Sequence, residues 1–127
     1  RHLDEYIAAR QAAAAYYNNA FAGCDKLITP VTSPFTTHVF HQYTLKLVGV
    51  DRNGLQEYLK EKGIPAMIYY PVPLHLQKAY QDPRYKKGDF PVAEKLMDCV
   101  LSLPMHTELD EEQLAYITSS VLEFINK

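Results

Sequence analysis

Residues Ile68 to Tyr80, IYYPVPLHLQKAY, place Tyr69, Tyr70 and His75 around two prolines, directly after an apolar stretch. Phenols and imidazoles both donate and accept hydrogen bonds. Proline fixes the backbone around them, so such groups hold their positions without a costly ordering step when a ligand arrives. Strand ends and stiffened loops are where α/β and α+β proteins present groups to ligands. Successive strand residues face opposite ways, so one of Tyr69 and Tyr70 can pack in the core while the other turns its hydroxyl to a cleft, and a purely structural role for this stretch reads equally well. His41 and Tyr43 form a second candidate pair, sharing one face of an alternating run, although a buried, hydrogen-bonded histidine is the simpler reading there. The five histidines invite a metal site, and HVFH at residues 38 to 41 looks like a ligand pair. Three-residue spacing on a strand sends the two rings to opposite faces, so no metal ligand is assigned. Ser102-Leu103-Pro104 reads as a strand that stops.

The elements that position these groups follow from periodicity. Leu3, Ile7, Ala14, Tyr17 and Phe21 recur at helical steps, which predicts a helix from Leu3 to about Ala22 with Gly23 as its stop. Residues 27 to 37 hold two prolines and read as an irregular connection, and His38 to Leu47 alternates like a strand. DRNG at 51 to 54 starts a short helix that Gly63 ends, and Ala66 to Tyr70 is a strand blocked by PVP. A helix over about Pro91 to Met97, a strand over Cys99 to Leu103 and a last helix behind the capping box Asp110/Gln113 complete the chain. This order predicts an α+β fold, a small, mostly antiparallel sheet with helices packed on one face.

Composition excludes several classes. Thirteen Lys plus Arg against fifteen Asp plus Glu, without a long basic run, lack the electrostatic footprint of nucleic-acid binding. No apolar run is long enough for a membrane span, and no GxGxxG or GKS/T loop is present. Cys24 and Cys99 are far apart and form no CxxC, which suits a reducing compartment and predicts a cytoplasmic protein. The chain starts with Arg already inside a helical pattern, as expected of a piece of a longer protein.

Three segments in order, HVFHQYTLKL, DRNGLQEYLKEKGIPAMIYYPVPLHLQKAY and LSLPMHTELDEEQL, together resemble the C-terminal part of the DegT/DnrJ/EryC1/StrS family of fold type I, pyridoxal-phosphate-dependent sugar aminotransferases. The resemblance spans nearly the whole chain. It implies that residues 1–127 are the small C-terminal domain of a two-domain subunit, with residues 1–22 as the helix leading to a large domain. That domain would bind most of the pyridoxal 5'-phosphate and supply the Schiff-base lysine; no lysine here lies in such a context. It therefore implies no catalytic residue in this chain, and neither bound cofactor nor transamination by residues 1–127 alone. The implied substrate-side residues are Tyr69, Tyr70 and His75, with His41 and Tyr43 at or near the cleft. Many members carry His-Tyr-Pro where this chain has Tyr69-Tyr70-Pro71, a change that keeps a ring and a hydrogen-bonding group but removes a residue able to become cationic near neutral pH. The implied partners are a nucleotide-linked keto sugar, an amino donor (usually glutamate), the large domain and the second subunit of a homodimer. The YYPVPLHLQ wording is most similar to enzymes acting on UDP-2-acetamido-2-deoxy-hexuluronate in lipopolysaccharide O-antigen assembly. The competing reading is a self-standing, non-catalytic interaction module with an aromatic edge.

Overall fold

A computed structural model describes all residues from Arg1 to Lys127. The elements run α1 (Leu3–Ala20), β1 (Leu27–Ile28), β2 (Tyr43–Leu47), α2 (Arg52–Glu61), two 3₁₀ turns (Leu74–Leu76 and Lys78–Tyr80), α3 (Pro91–Cys99), β3 (Val100–Leu103) and α4 (Glu111–Ile125). The strands form one antiparallel sheet in the order β1-β2-β3. The α+β architecture with a small antiparallel sheet expected from the element order is the one observed, except that α3 lies on the sheet face opposite α1, α2 and α4.

Side-chain alternation along β2 decides which face is buried. Tyr43, Leu45 and Leu47 point into the core, where they meet Tyr17 and Phe21 from the α1 side, Leu55 and Leu59 of α2, and Leu114, Ile117, Val121 and Ile125 of α4. Thr44 and Lys46 point the other way, toward α3. Aromatic packing anchors α1 to the sheet, with the Tyr17 and Tyr43 rings 4.8 Å apart. The Tyr17 hydroxyl donates to the Pro104 carbonyl at 2.9 Å and that of Tyr43 to Asn18 Oδ1 at 2.7 Å, so both buried phenols are satisfied.

Helix boundaries follow local chemistry. Asp51 accepts the Gly54 N–H and starts α2. Gly63, at φ +75°, ends it: Gly63 N–H reaches Lys60 O at 2.9 Å and Ile64 N–H reaches Leu59 O at 2.8 Å, the paired bonds of a Schellman motif. The capping box at α4 forms reciprocally between Asp110 and Gln113.

Two strands are shorter than their sequence pattern suggests. The run His38–Gln42 is not strand; β2 starts at Tyr43. Phe40 turns into the left-handed region at φ 49°, its N–H donates to His38 Nδ1 at 2.9 Å, and Arg10 takes the Phe40 and His41 carbonyls at 3.2 Å each. Those backbone groups are thereby lost to a sheet ladder, and the face-sharing argument for His38, His41 and Tyr43 does not apply. Ala66–Tyr70 likewise shrinks to one antiparallel bridge, Met67 with Ser102. Leu27–Ile28, within the segment read as irregular, pairs with Lys46 and Leu47 as a short edge strand.

Candidate functional site

After the Met67 bridge the chain leaves the sheet and crosses its second face. The Tyr69–Tyr70 peptide is cis. Pro71 and Pro73 cannot donate to a ladder, and the chain instead turns at Leu74–Leu76, where Leu76 N–H bonds Pro73 O at 2.9 Å. Gln77 Nε2 closes the same turn on the Val72 carbonyl at 3.0 Å. Between this segment, Thr44 of β2 and the helix α3 lies a groove of about 610 Å³. Tyr69, Tyr70 and Tyr80 line it beside Leu74, Leu96 and Met97, and no charged residue contributes to its lining.

The groove offers aromatic faces and hydroxyls on an apolar bed. Tyr70 and Tyr80 are 71% and 61% exposed, so their phenols are free to meet a ligand. The Tyr69 and Tyr70 rings meet edge to face with centroids 5.6 Å apart, which fixes the angle between them. Flat rings of this kind stack on a base or on the carbon face of a sugar, and the phenols can hydrogen-bond ring hydroxyls. An anionic phosphate would find no counter-charge in this lining.

Of the residues singled out from the sequence, Tyr69 and Tyr70 come together at the groove. The other three do not line it. Tyr43 is fully buried in the core with its phenol bonded to Asn18, and burial pushes its pKa well above the usual range. His41 is exposed outside the groove, in the turn whose carbonyls Arg10 holds. His75 is turned inward: its side chain is 8% exposed and its Nε2 lies 2.9 Å from Glu94 Oε1. The Glu94 carboxylate also accepts the Gly88 N–H at 2.8 Å and the Phe90 N–H at 3.4 Å. These contacts, with the Gly88 amide foremost, hold it below the usual carboxylate range against the opposing effect of desolvation.

The sequence reading overlooked Tyr80, Leu74 and the α3 side of the groove. A signal for Tyr80 existed, because it closes the same aromatic stretch as Tyr69 and Tyr70. For α3 the signal was weaker. Its apolar residues Val92, Leu96 and Met97 suggest a core-facing stripe, yet the helix has no buried residue. No group of three His, Cys, Asp or Glu side chains is placed to hold a metal ion. No helix is long and apolar enough to cross a membrane.

Residues 1–122 match the DegT/DnrJ/EryC1/StrS aminotransferase family. The chain belongs to this family. Among its relatives, a pleiotropic regulatory protein of Geobacillus stearothermophilus is 44% identical over 97% of this chain and 33% of its own length. A UDP-N-acetyl-3-dehydro-alpha-D-glucosamine 3-aminotransferase of Acidithiobacillus ferrooxidans is 40% identical over 94% of this chain and 31% of its own. The crystal structure of DesV from S. venezuelae, in complex with a ketimine intermediate, superposes with a TM-score of 0.92 at 35% identity, covering 99% of this chain and 33% of that one. The chain thus spans about a third of the length of the relatives it matches. The aromatic groove lies wholly within the residues matched to the DegT/DnrJ/EryC1/StrS family.

Proposed function

We propose that residues 1–127 form the small C-terminal domain of a pyridoxal-phosphate-dependent aminotransferase that moves an amino group, usually from glutamate, to a keto sugar linked to a nucleotide. The observation that carries this reading is the groove, whose exposed Tyr69, Tyr70 and Tyr80 surround an uncharged, apolar bed in a chain of this family. Its chemistry suits the sugar or base part of such a substrate. The diphosphate would be met elsewhere.

The groove lining contains neither a lysine nor a carboxylate, a donor set that does not fit pyridoxal phosphate, which needs an amine to hold it and an acid beside its ring nitrogen. No chemical step is therefore assigned to these residues. Their work is recognition: Tyr69 and Tyr70 orient the substrate, Tyr80 closes the far wall, and exposed His41 stays available to a ligand or to another domain. Tyr43 and His75 act from behind the surface.

Leu3 and Tyr6, 67% and 50% exposed on the first turns of α1, support the further proposal that this helix leads into a large cofactor-binding domain. A homodimer with active sites at the subunit interface belongs to the same reading. Similarity to a UDP-sugar 3-aminotransferase favours a UDP-linked 3-keto sugar of cell-surface polysaccharide assembly, in a cytoplasmic enzyme. The test is turnover of a panel of nucleotide-linked keto sugars by the full-length protein, followed through cofactor absorbance. Turnover of at least one UDP-linked 3-keto sugar is the expected result; inertness toward the whole panel contradicts the reading. Residues 1–127 alone should neither develop aldimine absorbance nor transaminate.

A further inference from the structure

Two walls of the groove come from distant parts of the chain, Leu74 on the 3₁₀ turn and Ala93 on α3, and the residue that follows each is the one that joins them. His75 and Glu94 meet at 2.9 Å with side chains only 8% and 13% exposed, an ion-pair geometry shielded from water on an otherwise open face. The carboxylate is polydentate. It accepts Gly88 N–H at 2.8 Å and 3.0 Å and Phe90 N–H at 3.4 Å, and the Phe90 ring lies against the imidazole with centroids 4.7 Å apart. One side chain therefore ties together the 3₁₀ turn, the loop before α3 and α3 itself.

This knot is remote from the core. Neither residue belongs to the hydrophobic cluster that holds the helices to the sheet, and neither the 3₁₀ turns nor α3 contributes a fully buried residue. With no fully buried side chain to fix them, the relative placement of the two walls leans on polar contacts, and a shielded carboxylate with three donors is the one that joins both walls. Holding a binding surface in its bound geometry raises affinity by lowering the ordering cost at encounter.

We propose that Glu94 is a positioning residue which, through His75, Gly88 and Phe90, fixes the walls of the groove for the nucleotide-linked sugar. The proposal rests on the functional reading given above. Loss of the knot selectively weakens capture of the sugar substrate, because an amino donor as small as glutamate does not need these walls. Glu94→Gln keeps the volume but sets an NH₂ against the Gly88 N–H, the one donor that both carboxylate oxygens meet, so it acts in the same direction as Glu94→Ala.

The experiment uses the full-length enzyme as wild type, Glu94→Ala, Glu94→Gln and His75→Ala. It reads KM and kcat for the sugar nucleotide, the amino-donor half-reaction through cofactor absorbance, and hydrogen exchange at the Gly88 and Phe90 amides. Expected are a rise of about tenfold in KM with kcat and the donor half-reaction within about twofold, and faster exchange confined to residues 72–90. Equal losses in both half-reactions, an unchanged KM, or unchanged exchange at Gly88 and Phe90 overturns the proposal. So does failure of both Glu94 variants to fold, which would make the knot a stability element. A wild-type enzyme inert toward nucleotide sugars overturns the functional reading and with it the substrate role, while the exchange result still decides whether Glu94 holds the walls.

Discussion

The two faces of this sheet are built from similar residues put to opposite use. On the helix-backed face, Tyr17 and Tyr43 are completely buried, each phenol bonded to one partner, within a cluster that draws on α1, α2, α4 and all three strands. On the other face, Tyr70 and Tyr80 are more than half exposed and stand on a segment with no strand and no fully buried residue between Ala66 and Val100. A tyrosine can close a core or open a site, and what decides is whether regular elements surround it. The groove face is held by turns and polar contacts, so its side chains remain free to meet a ligand.

The largest effect that would break this contrast lies in the core. Leu45→Ala removes a fully buried side chain from the middle of the central strand and should cost about 3 kcal/mol in denaturant unfolding; a loss as small as that of a surface change would mean the helix-backed face is not the core. Tyr17→Phe keeps the ring but leaves the Pro104 carbonyl without its donor, and should cost about 1 to 2 kcal/mol by the same measurement.

The same phenols make a pH prediction. Burial, and for Tyr17 also the nearby Tyr43, raises both pKa values above the ordinary phenol range. The folded state then holds these protons more tightly than the unfolded chain, so the stability they contribute is fully present below a pH of about 10 and is lost as pH rises beyond it. Denaturant midpoints measured across that range should fall in the wild type, and fall less steeply in Tyr17→Phe. A smaller effect is expected at the edge of the core, where Asp110→Ala removes the α4 cap and should cost about 1 kcal/mol.

Much of the helix-backed face was legible from sequence because its signals are local. The capping box at Asp110 and Gln113, the Asp51 cap and the Gly63 stop lie within a few residues of the ends they define. The alternation from Tyr43 to Leu47 is the observed strand, whereas the same pattern upstream, from His38 to Gln42, is not. What ends it is Arg10, which reaches across thirty-one positions to the His41 carbonyl, a contact that no window of sequence contains. The groove face was legible in residue type and not in placement. Chemistry singles out Tyr69 and Tyr70, and both line the groove, whereas His75, expected to face a ligand, turns instead to Glu94, nineteen positions away. Proline marks where a strand stops, but the direction taken afterwards is set by such distant partners.

The most direct test of the contrast pairs one substitution with two readouts. Full-length protein carrying Tyr70→Ala should melt within a degree or two of wild type, since the side chain is exposed and its loss should change stability by no more than about 0.5 kcal/mol. Its affinity for a nucleotide-linked sugar, measured by calorimetry, should fall by about tenfold as an exposed aromatic contact is lost. Unchanged affinity, or a melting temperature that falls as far as that of a core variant, would contradict the assignment of this face to recognition.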